Sequence, residues 1–230
     1  MSLAELQKTE TVEFARPDPA VVRRDLDEKG LATLEDFFTP EEHGVFVEDA
    51  LAAVAGARPS NNGYKYSLKD GEIEGHALCR FAKSTAFIGF LQSILQREPA
   101  VEPRPLGPEN IRIGYSILKE AGDKVFYHFD SLNHLNVIVP IVLPERPAGH
   151  IDLHCLPNII GSPIRLRDRV VTSLIHRVPA SRQLFRQAEL VYRPRALHLF
   201  YGCRTYHGVE PAPGDGLRVI ASINVLRRRV

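Results

Sequence analysis

The sequence has few cysteines, no long apolar run and almost no net charge. Its three cysteines, Cys79, Cys155 and Cys203, include no CxxC pair, which argues against a disulfide-rich secreted scaffold and favours a reducing compartment. No apolar run approaches the roughly 20 residues that span a bilayer. The amino-terminal residues also lack the basic and apolar regions of a signal peptide. We therefore expect a cytoplasmic protein with no membrane partner.

Charge is balanced over the whole chain but uneven along it. The net charge is +1, so bulk electrostatic binding of nucleic acid is not expected. Residues 1–60 hold 13 acids and 6 bases, whereas residues 164–195 hold 8 arginines and 2 acids. This pattern fits either two solvated faces that partly neutralise each other, or arginines that hold an anionic small molecule. No aromatic residues interleave with these arginines as they do in nucleobase-binding surfaces.

The first half of the chain carries helical patterns. Residues 18–29 predict a short helix that ends at Gly30, and Thr39, Pro40 and Glu42 form a capping-box pattern that begins a second helix ending at Gly56. Residues 81–97 predict a third helix, and prolines between 99 and 108 predict a stiff connector. Residues 57–76 contain the turn pairs Asn62-Gly63 and Asp70-Gly71, which predict a surface hairpin or a mobile cover over a site.

From residue 110 the pattern changes to short β-rich runs separated by Gly, Pro and Asp turns. A mostly helical, arginine-rich stretch interrupts these runs. Helices followed by many short strands favour an antiparallel sandwich or barrel supported by amino-terminal helices. We expect one domain over 1–230, with helical support over 1–109, a β core over 110–225 and a helical insertion over about 156–192, which could serve as a lid.

The sharpest local pattern is a His-x-Asp pair in one of these runs. Because side chains alternate along a strand, His128 and Asp130 project to the same face. A second histidine on a neighbouring strand would complete a 2-His-1-carboxylate triad, which suits Fe(II) that activates O₂. A His-x-Asp pair on its own is common by chance, and a lone histidine such as His150, His154 or His198 is more often structural than a ligand.

A second group of residues lies near the carboxyl terminus. His207 begins a His-Gly-Val sequence, and Arg218 follows His207 by 11 residues at the start of a strand. This ordered set resembles the Fe(II)/2-oxoglutarate-dependent dioxygenases, in which a His-x-Asp pair, a distal histidine and a downstream arginine occur in that order. The resemblance covers residues 110–225 and implies a mainly β, double-stranded β-helix core of the jelly-roll or cupin-like type.

The resemblance also implies roles for single residues. His128, Asp130 and His207 would hold Fe(II), and Arg218 would bind the far carboxylate of 2-oxoglutarate through two parallel hydrogen bonds. Further candidate residues for the co-substrate are Ser222, Tyr115 and Asn136. Arg204 is a candidate for binding a carboxylate of the substrate, or it forms a surface ion pair. No catalytic residue beyond the metal ligands is expected.

The implied activity is oxidation of an unactivated C–H bond of a small molecule, such as an amino acid or a specialised metabolite. The reaction would use O₂ and release succinate and CO₂, and the carboxylate ligand Asp130 favours hydroxylation over halogenation. Two alternatives stay open. One is a cupin-like metal enzyme that does not use 2-oxoglutarate, and the other is a non-catalytic β-sandwich binding module. The sequence names neither the substrate nor the oligomeric state.

Overall fold

The computed structural model describes residues 17–59, 66–96, 105–119, 125–130, 133–145, 150–159, 166–210 and 216–226. The α-helices in these ranges are α1 (Pro19–Glu28), α2 (Pro40–Val54), α3 (Ala77–Ala82), α4 (Thr85–Leu95) and α5 (Leu166–Arg177). The strands are β1 (Ala32–Leu34), β2 (Arg58–Pro59), β3 (Tyr66–Lys69), β4 (Ile111–Leu118), β5 (Val125–His128), β6 (Asn133–Val142), β7 (Leu153–Leu156), β8 (Ala188–Leu190), β9 (Leu197–Phe200), β10 (Tyr206–Val209) and β11 (Arg218–Leu226).

The strands form two antiparallel sheets that pack against each other. The larger sheet has the order β1-β9-β6-β11-β4-β3-β2, and the smaller has the order β5-β10-β7-β8. Ile138 and Ile220 of the larger sheet share one apolar cluster with Leu153 and Val209 of the smaller sheet. This arrangement confirms the predicted mainly β jelly-roll class.

Side-chain alternation divides the larger sheet between two layers. Val219, Ala221 and Ile223 of β11 point to the cluster formed with the amino-terminal helices, whereas Ile220 points to the cluster between the sheets. The two clusters explain why Val219, Ile220 and Ala221 are consecutive apolar residues, because both faces of β11 are covered there.

The first two helices begin and end where the sequence predicts. The Thr39 hydroxyl accepts a hydrogen bond from the Glu42 amide, and the Glu42 carboxylate accepts one from the Thr39 amide, which completes the predicted capping box. Gly30 has a φ of 80° just after α1. A residue with a Cβ would be strained in that conformation.

The structure differs from the sequence-based expectation in three places. Residues 81–97 do not form one helix, because α3 ends at Ala82 and Ser84 begins a new helix by capping the Phe87 amide. Asp70-Gly71 lies in a 3₁₀ turn (Asp70–Glu72) and not in a hairpin turn. Part of the predicted insertion is a core strand, because β8 pairs with β7.

Some expectations concern residues that the structure does not describe. The turn at Asn62-Gly63 and the connector prolines Pro99 and Pro103 lie outside the described ranges. The strands on either side of residues 62–63, β2 and β3, pair antiparallel, and β3 continues the larger sheet beside β4. No helix in the described part of the chain is long and apolar enough to cross a membrane.

A buried histidine links stability to pH. His198 on β9 is fully buried, its Nδ1 lies 3.0 Å from the Thr33 hydroxyl, and burial together with the nearby Arg193 charge lowers its pKa from 6.5 to about 4. As the pH falls, His198 therefore becomes protonated in the unfolded chain at a higher pH than in the folded chain. The stability contributed by neutral His198 is lost as the pH falls from 6.5 towards 4.

We expect this histidine to lower the free energy of unfolding by about 2 kcal/mol between about pH 7 and about pH 5. Urea unfolding of the wild type and of His198→Gln at both pH values measures the effect. The difference between the two proteins isolates His198 from other titrating groups. Equal pH dependence in both proteins would show that His198 is not the group responsible.

Candidate metal centre

Pairing between β5 and β10 brings the three predicted metal ligands together. His207 lies opposite His128 across this pair, and Asp130 lies two residues beyond His128, just after β5 ends. One nitrogen of each imidazole and one carboxylate oxygen all lie within 4.8 Å of one another. Residues that are 79 positions apart in sequence therefore form one compact donor set.

The donor set is polar, converging and open on one side. His128 Nε2 lies 3.3 Å from Asp130 Oδ1, and His207 Nε2 lies 3.3 Å from Asp130 Oδ2. The His207 side chain is 7% exposed, whereas that of His128 is 41% exposed. Small molecules can therefore approach from the His128 side, while His207 lies in the protein interior.

Neighbouring groups orient His207 and keep Asp130 ionised. His207 Nδ1 lies 3.1 Å from the Thr205 carbonyl oxygen. Because a carbonyl only accepts, Nδ1 carries a proton and Nε2 is directed to the donor set. Burial alone would raise the pKa of Asp130, but hydrogen bonds and charges from His128 and His207 outweigh it and hold this pKa well below its ordinary value. Two imidazole nitrogens beside an ionised carboxylate match the donor preference of Fe(II).

Asn136 and Gly202 support the carboxylate. The Asn136 side-chain amide donates to Asp130 Oδ2, and the Asp130 amide donates to the Gly202 carbonyl over 3.2 Å. A Cβ on Gly202 would come within 2.5 Å of Asn136 Oδ1, so only glycine leaves room for the amide in this position. Asn136, predicted to bind the co-substrate, thus lies in the site and contacts the carboxylate ligand.

We expect Gly202→Ala to weaken Fe(II) binding. The added methyl group displaces Asn136 from Asp130, and losing a partner of a metal ligand typically lowers metal affinity about 10–100-fold. Anaerobic titration of Fe(II) against a competing chelator measures the change.

Gly44→Ala is the matched control, because nothing lies within 4 Å of a Cβ at Gly44. This variant should bind Fe(II) as the wild type does. If both variants bind Fe(II) normally, Asn136 does not support the carboxylate.

Arg218 is fully buried at the start of β11 and already has partners. One guanidinium nitrogen donates to the Glu210 carbonyl over 2.9 Å. The other lies 3.3 Å from Asp152 Oδ1 and 3.3 Å from His150 Nε2. Asp152 is fully buried as well, so the predicted co-substrate anchor is half of a buried ion pair.

The remaining predicted residues lie in different places. Ser222 shares the inner face of β11 with Arg218, four residues further along, or roughly 13 Å at the usual strand rise. The structure corrects the prediction that Tyr115 binds the co-substrate, because this side chain points into the helix-facing cluster. Its hydroxyl there lies 3.1 Å from His76 Nδ1. Arg204 lies in the turn between β9 and β10, with its guanidinium 5.2 Å from the Tyr201 ring centroid. The structure leaves Arg204 and Ser222 as predictions.

Sequence reasoning missed Asp152, Thr205 and Gly202. Asp152 carried a signal, because His150 and Asp152 form a second His-x-Asp pair. Thr205 contributes only its backbone carbonyl, for which any residue would serve, and the need for glycine at 202 arises from contact with a distant strand.

Comparisons with known proteins identify the fold of the chain. No family model matches the chain, and no curated protein sequence matches it. Several solved structures do match the chain. The α-ketoglutarate-dependent carbocyclase SnoK of nogalamycin biosynthesis is similar with a TM-score of 0.66 at 13% identity, covering 93% of this chain and 86% of that one. The epimerase SnoN of the same biosynthesis gives 0.66 at 12%, covering 91% and 82%.

A prolyl 4-hydroxylase of Pseudomonas putida is also similar, with a TM-score of 0.61 at 12% identity, covering 92% of this chain and all of that one. The chain has the fold of the Fe(II)/2-oxoglutarate-dependent oxygenases. Identities this low establish the fold and leave the chemistry to the residues of the site.

Proposed function

We propose that the protein is an Fe(II)/2-oxoglutarate-dependent oxygenase that acts on a small molecule. The observation that carries the proposal is the convergence of His128, Asp130 and His207 within 4.8 Å of one another on two strands of this fold. Fe(II) with 2-oxoglutarate would supply the oxidising power, with O₂ consumed and succinate and CO₂ released. Hydroxylation is the favoured outcome, although the similar structures include an epimerase and a carbocyclase.

The protein would contribute binding, orientation and exclusion of water. Asp130 would offer an ionised oxygen whose position Asn136 fixes, and the Thr205 carbonyl would keep Nε2 of His207 available. The Phe200 ring lies 4.7 Å from the His207 ring, edge to face, and is fully buried. Apolar cover of this kind excludes water from the inner side of the donor set.

The exposed side of the donor set supports a substrate that enters from solvent beside His128. Among the similar proteins, SnoN is described in complex with Fe³⁺, α-ketoglutarate and nogalamycin RO, and EctD of S. alaskensis with 2-oxoglutarate and 5-hydroxyectoine. One prolyl hydroxylase is described with a peptide fragment. We infer a small-molecule substrate for this chain, and Arg204 in the adjacent turn is our candidate for binding a carboxylate on it.

A metal-dependent enzyme that does not use 2-oxoglutarate is the second candidate. Its support is the buried ion pair of Arg218 with Asp152, because a carboxylate of the protein already contacts the guanidinium expected to bind the co-substrate. In that case the same three ligands would hold a metal, and Arg218 would have a structural role.

Succinate release separates these candidates. The Fe(II)-loaded protein would be incubated with 2-oxoglutarate and O₂ across a library of amino acids and specialised metabolites. We expect succinate in excess of a His207→Ala control, and more of it with a true substrate. Substrate conversion without succinate would favour the second candidate, and no turnover of 2-oxoglutarate in any mixture would contradict the proposal.

A further inference from the structure

The two histidines of the donor set have aromatic neighbours on the opposite face of the smaller sheet. Because side chains alternate along a strand, the residue before each histidine points away from the donor set. These residues are Tyr127 on β5 and Tyr206 on β10, and their rings stack with centroids 5.5 Å apart and planes 30° apart. The Phe129 ring lies 5.1 Å from the Tyr206 ring. We call these three rings the aromatic layer.

The aromatic layer matters because β5 is an edge strand with little else to hold it. β5 has four residues, and β10 is its one partner in the described part of the chain. The register of this pair is irregular between His207 and Val209. The inner face adds little, since the His128 side chain is 41% exposed. Cross-strand side-chain contacts therefore carry much of the pairing.

Tyr127 joins β5 to a row of residues along β10. A Cβ on Gly208 would come within 2.8 Å of the Tyr127 ring, so the ring occupies the space that this glycine leaves. The Tyr127 hydroxyl donates to Glu210 Oε1 over 3.3 Å. Together with the stacking on Tyr206, these contacts connect Tyr127 to every second residue from Tyr206 to Glu210.

An arginine of the helical insertion covers one ring from each strand. The guanidinium carbon of Arg182 lies 4.8 Å from the centroid of the Tyr127 ring and 5.3 Å from that of the Tyr206 ring. A terminal nitrogen lies 3.4 Å from the Tyr206 hydroxyl, and Nε is buried with no hydrogen-bond partner in the described structure. The guanidinium thus interacts with the two faces through cation–π attraction, which strengthens on desolvation.

The fold of the insertion holds Arg182 in this position. Arg182 lies in the 3₁₀ turn Pro179–Leu184, which follows α5. The Ser181 hydroxyl donates to the Leu174 carbonyl of α5 over 3.4 Å. Helix α5 in turn packs on the smaller sheet, because Ile175 is fully buried in the apolar cluster that includes Tyr206. The insertion therefore braces the outer face of the two strands that carry the histidines.

Of the three predicted ligands, His128 depends most on where β5 lies. His207 and Asp130 have supports of their own, namely the Thr205 carbonyl and the Asn136 amide. His128 is the last residue of β5, so a shift of this strand away from β10 would withdraw one imidazole from the donor set.

We propose that Arg182 is a positioning residue of the metal centre, which clamps Tyr127 to Tyr206 and thereby keeps His128 opposite His207. The inference rests on the proposed function and extends it to the helical insertion. Arg182 acts from the far side of the sheet and through other side chains, so it touches neither the metal ligands nor a substrate.

Two substitutions of Arg182 separate its charge from its bulk. Arg182→Met keeps a long unbranched side chain over the rings but removes the cation, and we expect it to weaken Fe(II) binding about tenfold, at the lower end of the range for residues that support a metal ligand. Arg182→Lys should recover part of this loss, because an ammonium group is also attracted to a ring face.

Anaerobic titration of Fe(II) against a competing chelator measures the affinity of the full chain. Circular dichroism would first establish that each variant is folded at the temperature used. A residue that contributes only to global stability does not change the affinity of the folded protein. Arg186→Met is the matched control, because Arg186 is exposed and donates to the Glu28 carbonyl of α1. It should bind Fe(II) as the wild type does.

Co(II) provides a second measurement that does not depend on affinity. Its visible absorption bands respond to the number and kind of its ligands. At saturating Co(II), the spectrum of Arg182→Met should shift towards that of His128→Ala, which is the reference for a site with a single imidazole. The spectrum of Arg186→Met should match that of the wild type.

The outcomes separate this inference from the proposed function. Wild-type Fe(II) affinity and Co(II) spectrum in folded Arg182→Met would overturn the inference and leave the proposed function standing. Equal losses in Arg182→Met and Arg186→Met, or a loss in Arg182→Lys as large as in Arg182→Met, would also overturn it, because the clamp needs a cation at position 182. Failure of the wild type to bind Fe(II) would overturn both.

Discussion

His207→Ala should remove most Fe(II) affinity and all turnover. The variant loses the most buried of the three donors, which lies 3.3 Å from the carboxylate. The loss should exceed the 10–100-fold typical of a residue that only supports a metal ligand. Because a bound metal stabilises the folded state, Fe(II) should raise the melting temperature of the wild type and leave that of the variant unchanged.

His154→Ala is the matched control for this measurement. His154 lies on β7, the other neighbour of β10, and contacts Glu189 and Glu210 but not the donor set. This variant should bind Fe(II) as the wild type does. Full Fe(II) occupancy in His207→Ala, or equal losses in both variants, would contradict the ligand assignment.

Asp130→Gly should keep weak Fe(II) binding through the two imidazoles but lose the proposed hydroxylation.

Removing the Arg218 charge should weaken 2-oxoglutarate binding without affecting Fe(II). When a bound carboxylate loses its buried guanidinium partner, the binding free energy weakens by about 2–5 kcal/mol, which is a tens- to thousands-fold loss of affinity. Arg218→Lys should restore only part of this affinity, because an ammonium group cannot reproduce bidentate geometry.

The ion pair with Asp152 dictates how this experiment is designed. Arg218→Ala alone would leave a buried carboxylate without its cation, at a cost of about 3–5 kcal/mol in stability. The double variant Arg218→Met with Asp152→Leu replaces the pair by apolar side chains, which is often tolerated. Unchanged 2-oxoglutarate affinity in the folded, Fe(II)-loaded double variant would contradict the co-substrate assignment and favour the enzyme without 2-oxoglutarate.

Local patterns allowed the sequence to predict much of the fold. The capping box of α2 depends on residues three positions apart, and the glycine after α1 needs only its own backbone conformation. The two His-x-Asp pairs mark the limit of such reasoning. His128–Asp130 meets His207, whereas His150–Asp152 meets Arg218, and only long-range strand pairing distinguishes one pair from the other.

Tyr115 shows why side-chain direction was harder to predict. The residues of β4 alternate, so that Tyr115 lies on a buried face with Ile113 and Ile117, whereas Gly114 and Ser116 on the other face are partly exposed. This alternation identifies the more buried face of the strand but does not reveal whether the amino-terminal helices or the smaller sheet cover it. Ala221, which pairs with Tyr115 on the neighbouring strand, lies in the same helix-facing cluster.

Anaerobic binding of 2-oxoglutarate to the Fe(II)-loaded protein tests the central claim most directly. An oxo acid that chelates Fe(II) gives a weak visible charge-transfer band, and we expect this band to grow with added 2-oxoglutarate and to saturate at a single equivalent per iron. The band should be absent without Fe(II) and absent in His207→Ala. Fe(II) binding with no band and no heat of 2-oxoglutarate binding would contradict the assignment as a 2-oxoglutarate-dependent oxygenase.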